Sequence, residues 1–405
     1  MKKFLFKGPL ILISVLVYAE GTNLAIGESP SIGGFNVYYG QLHSHTNISD
    51  GQGSPSEAYA YARDTAGLDF FSISDHDYWF DDMTQTDWDT IKDTANSYND
   101  DGTYVTFWGF EWTSDIPEPG YETLTGKGHI TIINSDDWCN ATEELTNELD
   151  ELVNWLDARD VVAFFNHPGQ YETTFDGFNF NHTDRIVGME LWNRSDDYYS
   201  NDGYCDDDGG LPYYDEAIVR GWYIGATGSQ DNHRKGWGTE NDWRMVILAP
   251  EKTRPSIYAA MQARRFYSSR DRNLALSFKI NGAEMGSKIG GGSLSIQIEA
   301  SDGENEIFSS IELLKNGIVI ETWTPGATNP NVSATATGTD EDYFYVRVNQ
   351  SGEDGWQAIS SPIFIISDDN SPVVTITEPA EGSPSVVTDT VHRHYAPTLI
   401  KGHAE

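Results

Sequence analysis

The chain has 405 residues, with 25 lysines and arginines against 63 aspartates and glutamates, a formal net charge of −38. That balance opposes any general attraction to nucleic acid or to an anionic membrane surface. The 12 Trp, 21 Tyr and 18 Phe supply too much apolar surface for a mostly unfolded acidic chain, so a folded protein of one large or two ordinary domains is expected.

The chain opens on Lys2, Lys3 and Lys7 around an apolar run from Pro9 to Ala19. This is the layout of a secretory signal over residues 1–19, and the run is too short to favour a membrane span, so a secreted mature chain, periplasmic or extracellular, is expected. Residues 20–34 read as a linker. Cys139 and Cys205 are the two cysteines, and an exported chain could pair them or leave both as thiols.

From residue 35 to 270 short β-rich runs alternate with helical stretches. The runs are FNVYYGQLHSH, LDFFSISDHD, YVTFWGFEWT, GHITIINS, VVAFFNHPG, GMELWN and GWYIGATGSQDNH. Helices are expected over SPSEAYAYARDTAG, with Ser54 as cap and Gly67 as stop, and over DWDTIKDTANSY, EELTNELDELVNWLDAR, PYYDEAIVRG and RPSIYAAMQARRF. Such alternation predicts an α/β fold with a parallel sheet, its chemistry at the C-terminal ends of the strands. From 271 to 367 the pattern changes to alternating strands separated by Gly, Asn, Asp and Ser turns, which predicts a small all-β sandwich. Residues 368–405 are rich in Pro, Ser and Thr and read as a linker or an incomplete β-module.

Six of the ten histidines fall at strand ends. His43 and His45 close the first run, His76 the second and His167 the fifth, His129 starts the fourth, and His233 follows the seventh. Asp50, Glu111 and Asp231 bring the set to nine candidate metal ligands. Residues i and i+2 of an extended strand share a face, so a His-x-His pair can address one ion from a rigid edge. Imidazole and carboxylate donors suit Zn, Mn or Fe, and a carboxylate such as Glu111 can bridge two cations. Water on such ions ionises near neutral pH, with a pKa of roughly 7 against 15.7 in bulk, and closely spaced ions can hold both oxygens of an in-line displacement.

The series His-x-His-Thr-x-x-Ser-Asp-Gly, Ser-Asp-His-Asp, a Glu, Gly-His, Asn-His-Pro and Asp-x-His resembles the PHP (polymerase and histidinol phosphatase) family of metallohydrolases over residues 36–250. The segments RNLALSFKINGAEMG and ISSPIFI are similar to its exported branch, named for the ester hydrolases CehA and McbA. The resemblance implies a distorted seven-stranded (β/α) barrel with two or three divalent ions. It implies that His43, His45, Glu111 and Asp231 hold one ion, Glu111, His129 and His167 a second, and Asp50, His76 and His233 a third. Asp50 stands where some members carry His, which implies a third ion of different strength or identity.

Glu111, Asp231 and Asp75 are the expected catalytic residues. Asp75 would orient an imidazole or act as a general acid, whereas Asp77 reads as one more surface acid. Glu190 is expected at the mouth of the sheet in a structural hydrogen bond. Arg194, Arg234, Lys235, Arg270 and Arg272 are candidate clamps for an anionic substrate. Trp79, Trp112, Trp192 and Trp237 could line the cleft, with core packing as the default. The acidic loop 195–210 reads as a rim beside the site. The expected activity is hydrolysis of a small phosphate ester by a multinuclear metal centre. A carboxyl-ester or carbamate hydrolase with the same centre, and a non-catalytic adhesion protein with structural metals, are the alternatives.

Overall fold

The computed structural model describes residues 30–79, 81–115, 124–169, 174–193, 203–204 and 211–367. The signal segment, most of the linker, the tail, Arg194, Cys205 and nearly all of the acidic loop lie outside the described residues. Among the described residues, no helix is long and apolar enough to cross a membrane.

All seven predicted runs contain strands: β1 (Phe35–Gln41), β2 (Phe70–Ile73), β3 (Val105–Ser114), β4 (Gly128–Ile133), β5 (Val162–Phe165), β6 (Ile186–Trp192) and β7 (Gly225–Gly228). They lie side by side in chain order, and beyond β1 the sheet continues into β8 (Arg244–Ala249) and β9 (Phe266–Ser269). The parallel expectation holds for β1–β2, β2–β3, β5–β6 and β6–β7. It fails at β4, which is antiparallel to both neighbours. A parallel return needs a crossover, usually a helix, and among the described residues none lies between β3 and β4. This reversal brings the start of β4, and with it His129, to the rim where the other strands end. Among the described residues β1 and β7 share no ladder, but an isolated parallel bridge from Ser44 to Asn232 draws their two ends together.

Strand periodicity separates the two faces of this sheet. In β3, Phe110 and Trp112 pack with Trp88 of a covering helix, whereas Val105 and Phe107 enter a second core with Phe70, Ile133, Val162 and Phe164. Glu111 and Thr113 continue the row of Val105 and Phe107, so they sit above that second core. The covering helices are α1 (Pro55–Asp64), α2 (Gln85–Tyr98), α3 (Leu149–Asp157), α4 (Tyr213–Val219) and α5 (Arg254–Gln262). Ser54 and Glu57 form the capping box that starts α1. The predicted helix at 143–159 is shorter than expected. Thr146 donates to the Asn140 carbonyl and Asn140 accepts from Thr142, local bonds that compete with helix, so α3 begins only at Leu149.

The main remaining strands are β10 (Leu274–Ile280), β11 (Gly292–Asp302), β12 (Phe308–Lys315), β13 (Ile318–Trp323), β14 (Asn331–Gly338), β15 (Tyr343–Gln350), β16 (Ala358–Ser360) and β17 (Ile363–Ile366). Strands β10, β11 and β14 belong to a separate sheet. The others extend the large one, because β16 pairs with β9. One core lies between the two sheets, with Leu276, Phe278, Ile296 and Ile298 facing Ile311, Leu313, Val346 and Val348. Val37, Val246, Leu248 and Tyr267 of the first half belong to the same core. The two halves of the chain are therefore joined by a shared ladder and a shared apolar cluster.

A polar lock supports that joint. Asp215 of α4, fully buried, accepts hydrogen bonds from the hydroxyls of Tyr343 (2.7 Å) and Tyr345 (3.0 Å) in β15. Burial raises its carboxyl pKa even though both hydroxyls favour the charged form. Asp215→Ala should strand these phenols and lower stability by about 2 kcal/mol or more, read as an earlier urea midpoint at unchanged slope.

Candidate metal centre

The nine predicted ligands come together at one end of the large sheet. His43, His45, His76, Glu111, His129, His167 and Asp231 are buried, and Asp50 and His233 are half-buried at the outer edge. The loop carrying His43 to Asp50 is fixed by backbone bonds on two sides: His45 donates to the Asn232 carbonyl at 2.9 Å and Ser74 donates to the Ser44 carbonyl at 2.8 Å. Gly51 closes the loop because a Cβ there would lie 2.6 Å from the backbone of His45 and Thr46. His167 and Asp231 have positive φ, 23° and 44°, a conformation that costs on the order of 1–3 kcal/mol and is concentrated at functional sites.

Glu111 is the hub. Its Oε1 lies 3.2 Å from His43 Nε2, 3.3 Å from His129 Nδ1 and 3.4 Å from His167 Nε2. Its Oε2 lies 3.3 Å from His45 Nε2 and 3.0 Å from His76 Nδ1. Asp231 Oδ1 stands 3.3 Å from His43 Nε2 and 3.1 Å from His45 Nε2. At the outer edge Asp50 Oδ1 is 3.1 Å from His233 Nε2, 3.6 Å from His76 Nε2 and 3.8 Å from His45 Nδ1. His45 is thus shared between the inner set and the outer one, where it joins Asp50, His76 and His233.

These residues fit divalent ions. Donors held about 2.0–2.1 Å from one ion stand roughly 2.9–3.4 Å from each other, the spacing seen around Glu111. Glu111 Oε2 is buried and accepts no hydrogen bond, as expected of an oxygen meant for something other than an N–H. The protons report the same demand for positive charge. Burial opposes a charge on His129, but Glu111 and Asp115 outweigh it and hold the imidazole up at about 10. His45 is likewise lifted to about 9 by Asp231 and Glu111 against the cost of burial. Burial, reinforced by His45 and His129, pushes His76 down to about 3 against the pull of Glu111, which leaves it a neutral donor.

Supporting groups aim the ligands. Glu190, expected at the mouth in a structural bond, binds His43 Nδ1 through Oε1 at 2.7 Å and so leaves Nε2 to the site. It also accepts from Ser229 Oγ, Asn193 Nδ2 and the His167 N–H. Supporting carboxylates of this kind are worth roughly 10- to 100-fold in metal affinity, so Glu190→Gln is expected to weaken metal binding by that factor in a competitive chelator titration. Asn166 donates to Glu111 Oε1 at 2.6 Å, the Thr113 hydroxyl meets His76 Nδ1 at 2.6 Å, and Asp115 Oδ1 meets His129 Nε2 at 3.0 Å. None of these three was singled out in the sequence. Thr113 and Asp115 carry a signal, since they follow Glu111 at steps of two along one strand face; Asn166 carries none beyond adjacency to His167.

Asp75 has a different place from the one expected. Its carboxylate accepts from the Thr46 N–H and hydroxyl and from the Ser49 N–H and hydroxyl, so it braces the ligand loop and faces no imidazole. Asp77 is no surface acid: it is fully buried, accepts from the Thr113 and Ala141 N–H groups, and burial drives its pKa well up. Trp112, Trp192 and Trp237 are buried, and Trp237 Nε1 donates to the His45 carbonyl. Cys139 is buried.

The candidate substrate clamps separate. Lys235 is exposed and pairs with Glu57, Arg272 is exposed and pairs with Glu304, and Arg234 is exposed. Arg270 is half-buried, its guanidinium 5.9 Å from the ring of Trp192 at the end of β6 and 5.4 Å from that of Trp243. Arg194 lies outside the described residues.

A mixed α/β scaffold carrying a multi-donor His, Asp and Glu centre defines the class. No protein-family model matches the chain. An uncharacterised protein of Chlamydia pneumoniae is 23% identical over 370 residues, covering 82% of this chain and 57% of that protein. Uncharacterised proteins of Chlamydia muridarum and Chlamydia trachomatis are each 22% identical with the same coverage. The chain therefore spans little more than half the length of the curated relatives it matches. A solved two-domain protein from Bacteroides vulgatus, described as containing a predicted PHP-like metal-dependent phosphoesterase, aligns over 84% of this chain and 95% of its own, with 15% identity and a TM-score of 0.45.

Proposed function

We propose that this chain is a secreted, PHP-type, metal-dependent hydrolase whose substrate is a small phosphate ester. The observation that carries the reading is one buried carboxylate, Glu111, met by five imidazoles between 3.0 and 3.4 Å. A purely structural role has no use for so many oriented donors in a place so costly for charge. Divalent ions bound here would supply Lewis acidity and acidify water near neutral pH. The chain's own part is positional. Glu111 is placed to bridge, with Asn166 fixing one of its oxygens; Glu190 fixes the tautomer of His43; Asp75 holds the loop on which His43, His45 and Asp50 stand. Arg270, whose guanidinium lies 5.9 Å from the Trp192 ring at the end of β6, is the cation assigned in this reading to meet an anionic ester. The ligand set suits Zn, Mn or Fe, and the lysine-flanked apolar start supports export.

The test is a comparison of nitrophenyl phosphate, bis-nitrophenyl phosphate and nitrophenyl acetate with the purified, metal-loaded chain. Faster chelator-sensitive turnover of a phosphate than of the acetate is expected. Preference for the acetate would replace the phosphoesterase reading with a carboxyl-ester hydrolase on the same centre, and inertness toward all three would favour a non-catalytic role.

A further inference from the structure

Outside the histidine centre, three carboxylates gather where the two halves of the chain meet. Asp271 lies in the link from β9 to β10, Asp302 ends β11, and Glu306 stands in the turn before β12. One oxygen from each falls within 4.8 Å of the others. Asp271 and Asp302 are at most 9% exposed, and Glu306 is half-buried. Among the described residues no Lys, Arg or His nitrogen forms a salt bridge with any of the three. Backbone N–H groups of Asn273, Glu304 and Glu306 donate to Asp271 and Asp302, but three carboxylates at this range still repel one another, and a cation among them would relieve that repulsion.

A fourth side chain gives the cluster its direction. Gln350, the last residue of β15, is 1% exposed and donates from Nε2 to Asp302 Oδ2 at 3.1 Å. Its Oε1 is buried with no hydrogen-bond partner. An amide oxygen abandoned in the interior is a standing cost of about 1–3 kcal/mol. A half-turn of the amide, whose two ends are nearly isosteric, would bring that oxygen to the carboxylates. Such a turn is repulsive if the centre holds only oxygens and favourable if it holds a cation.

We propose that Asp271, Asp302, Glu306 and the amide oxygen of Gln350 form a second cation site, built for calcium, that braces the joint between the two halves. The donors are all oxygen, three of them anionic, with no imidazole or thiolate; this is the chemistry of a hard cation with several further positions for water. The cation would tie the link that follows β9 to the ends of β11 and β15, elements distant in sequence.

The experiment is a thermal melt of the chelator-treated full chain with and without calcium at about 10 mM, well above the roughly 10⁻⁴–10⁻³ M range of extracellular calcium modules. The wild type should gain roughly 3 °C or more. Glu306→Gln, at a half-buried position, and Gln350→Met should lose most of that gain, while Glu111→Gln should keep it. No gain in the wild type, a full gain in either of the first two variants, or its loss in Glu111→Gln would overturn the assignment. The last result would place the calcium at the histidine centre and leave the hydrolase reading standing.

Discussion

Glu111→Gln is expected to reduce turnover of the best substrate by roughly 10²- to 10⁴-fold, an activation cost of about 3–5 kcal/mol at 1.36 kcal/mol per tenfold, because the negative charge that would hold the metal centre together is lost. The substitution preserves volume and keeps an oxygen for Asn166, so the fold should survive. What it removes is the charge shared by His43, His45, His76, His129 and His167, which would let two ions, if bound, approach each other. The bound metal, measured by elemental analysis, should fall together with turnover. Full turnover with full metal content in the variant would remove Glu111 from the centre of the chemistry.

Stripping the metal is expected to give a chain whose stability falls as pH rises, a dependence that metal-loaded protein should largely lack. In the stripped chain His43 sits well above its ordinary value: burial opposes its charge, but Glu111, Glu190 and Asp231 prevail. His45 lies at about 9 and His129 at about 10 for the same kind of reason. Each folded pKa is thus above the unfolded value of about 6.5. The contribution of such a group is fully present below about pH 6.5 and is lost as pH rises through about 9 to 10, leaving buried carboxylates uncompensated. Urea melts across that window should show a loss of a few kcal/mol in the stripped protein. A flat or rising profile would contradict the charge balance drawn for the site. For the same reason metal rebinding near pH 7 should release protons, since imidazole binds metal only when neutral, and calorimetry in buffers of different ionisation enthalpy would count them.

That these candidate ligands would gather was legible because histidine is scarce in this chain and falls where apolar runs stop. His43, His45, His76, His129 and His167 each mark a strand end, and a strand end on a sheet rim is a place in space as well as in sequence. The reversal of β4 was half-legible: His129 starts its strand while the others close theirs, and only an antiparallel β4 brings all of them to one rim. The helpers were harder to see. Thr113 and Asp115 were within reach of the two-residue period starting at Glu111. Asn166 was not, because Asn166 and His167 are successive residues that both reach Glu111 just past the end of β5, where His167 has a positive φ, a backbone choice that residue type does not announce. Asp75 looked catalytic for its position beside His76, yet just past the end of β2 its carboxylate turns to Thr46 and Ser49 of the ligand loop instead. The union of the two halves through β9 and β16 was invisible, since nothing in a short β-run names a partner some ninety residues away.

The most direct test of the central claim is an anomalous-scattering map from crystals of the metal-loaded chain, collected at the edge of the bound metal. At least two peaks are expected, both in coordinating contact with Glu111, one flanked by His43, His45 and Asp231 and the other by His129 and His167. A map with metal elsewhere, or with none touching Glu111, would contradict that claim.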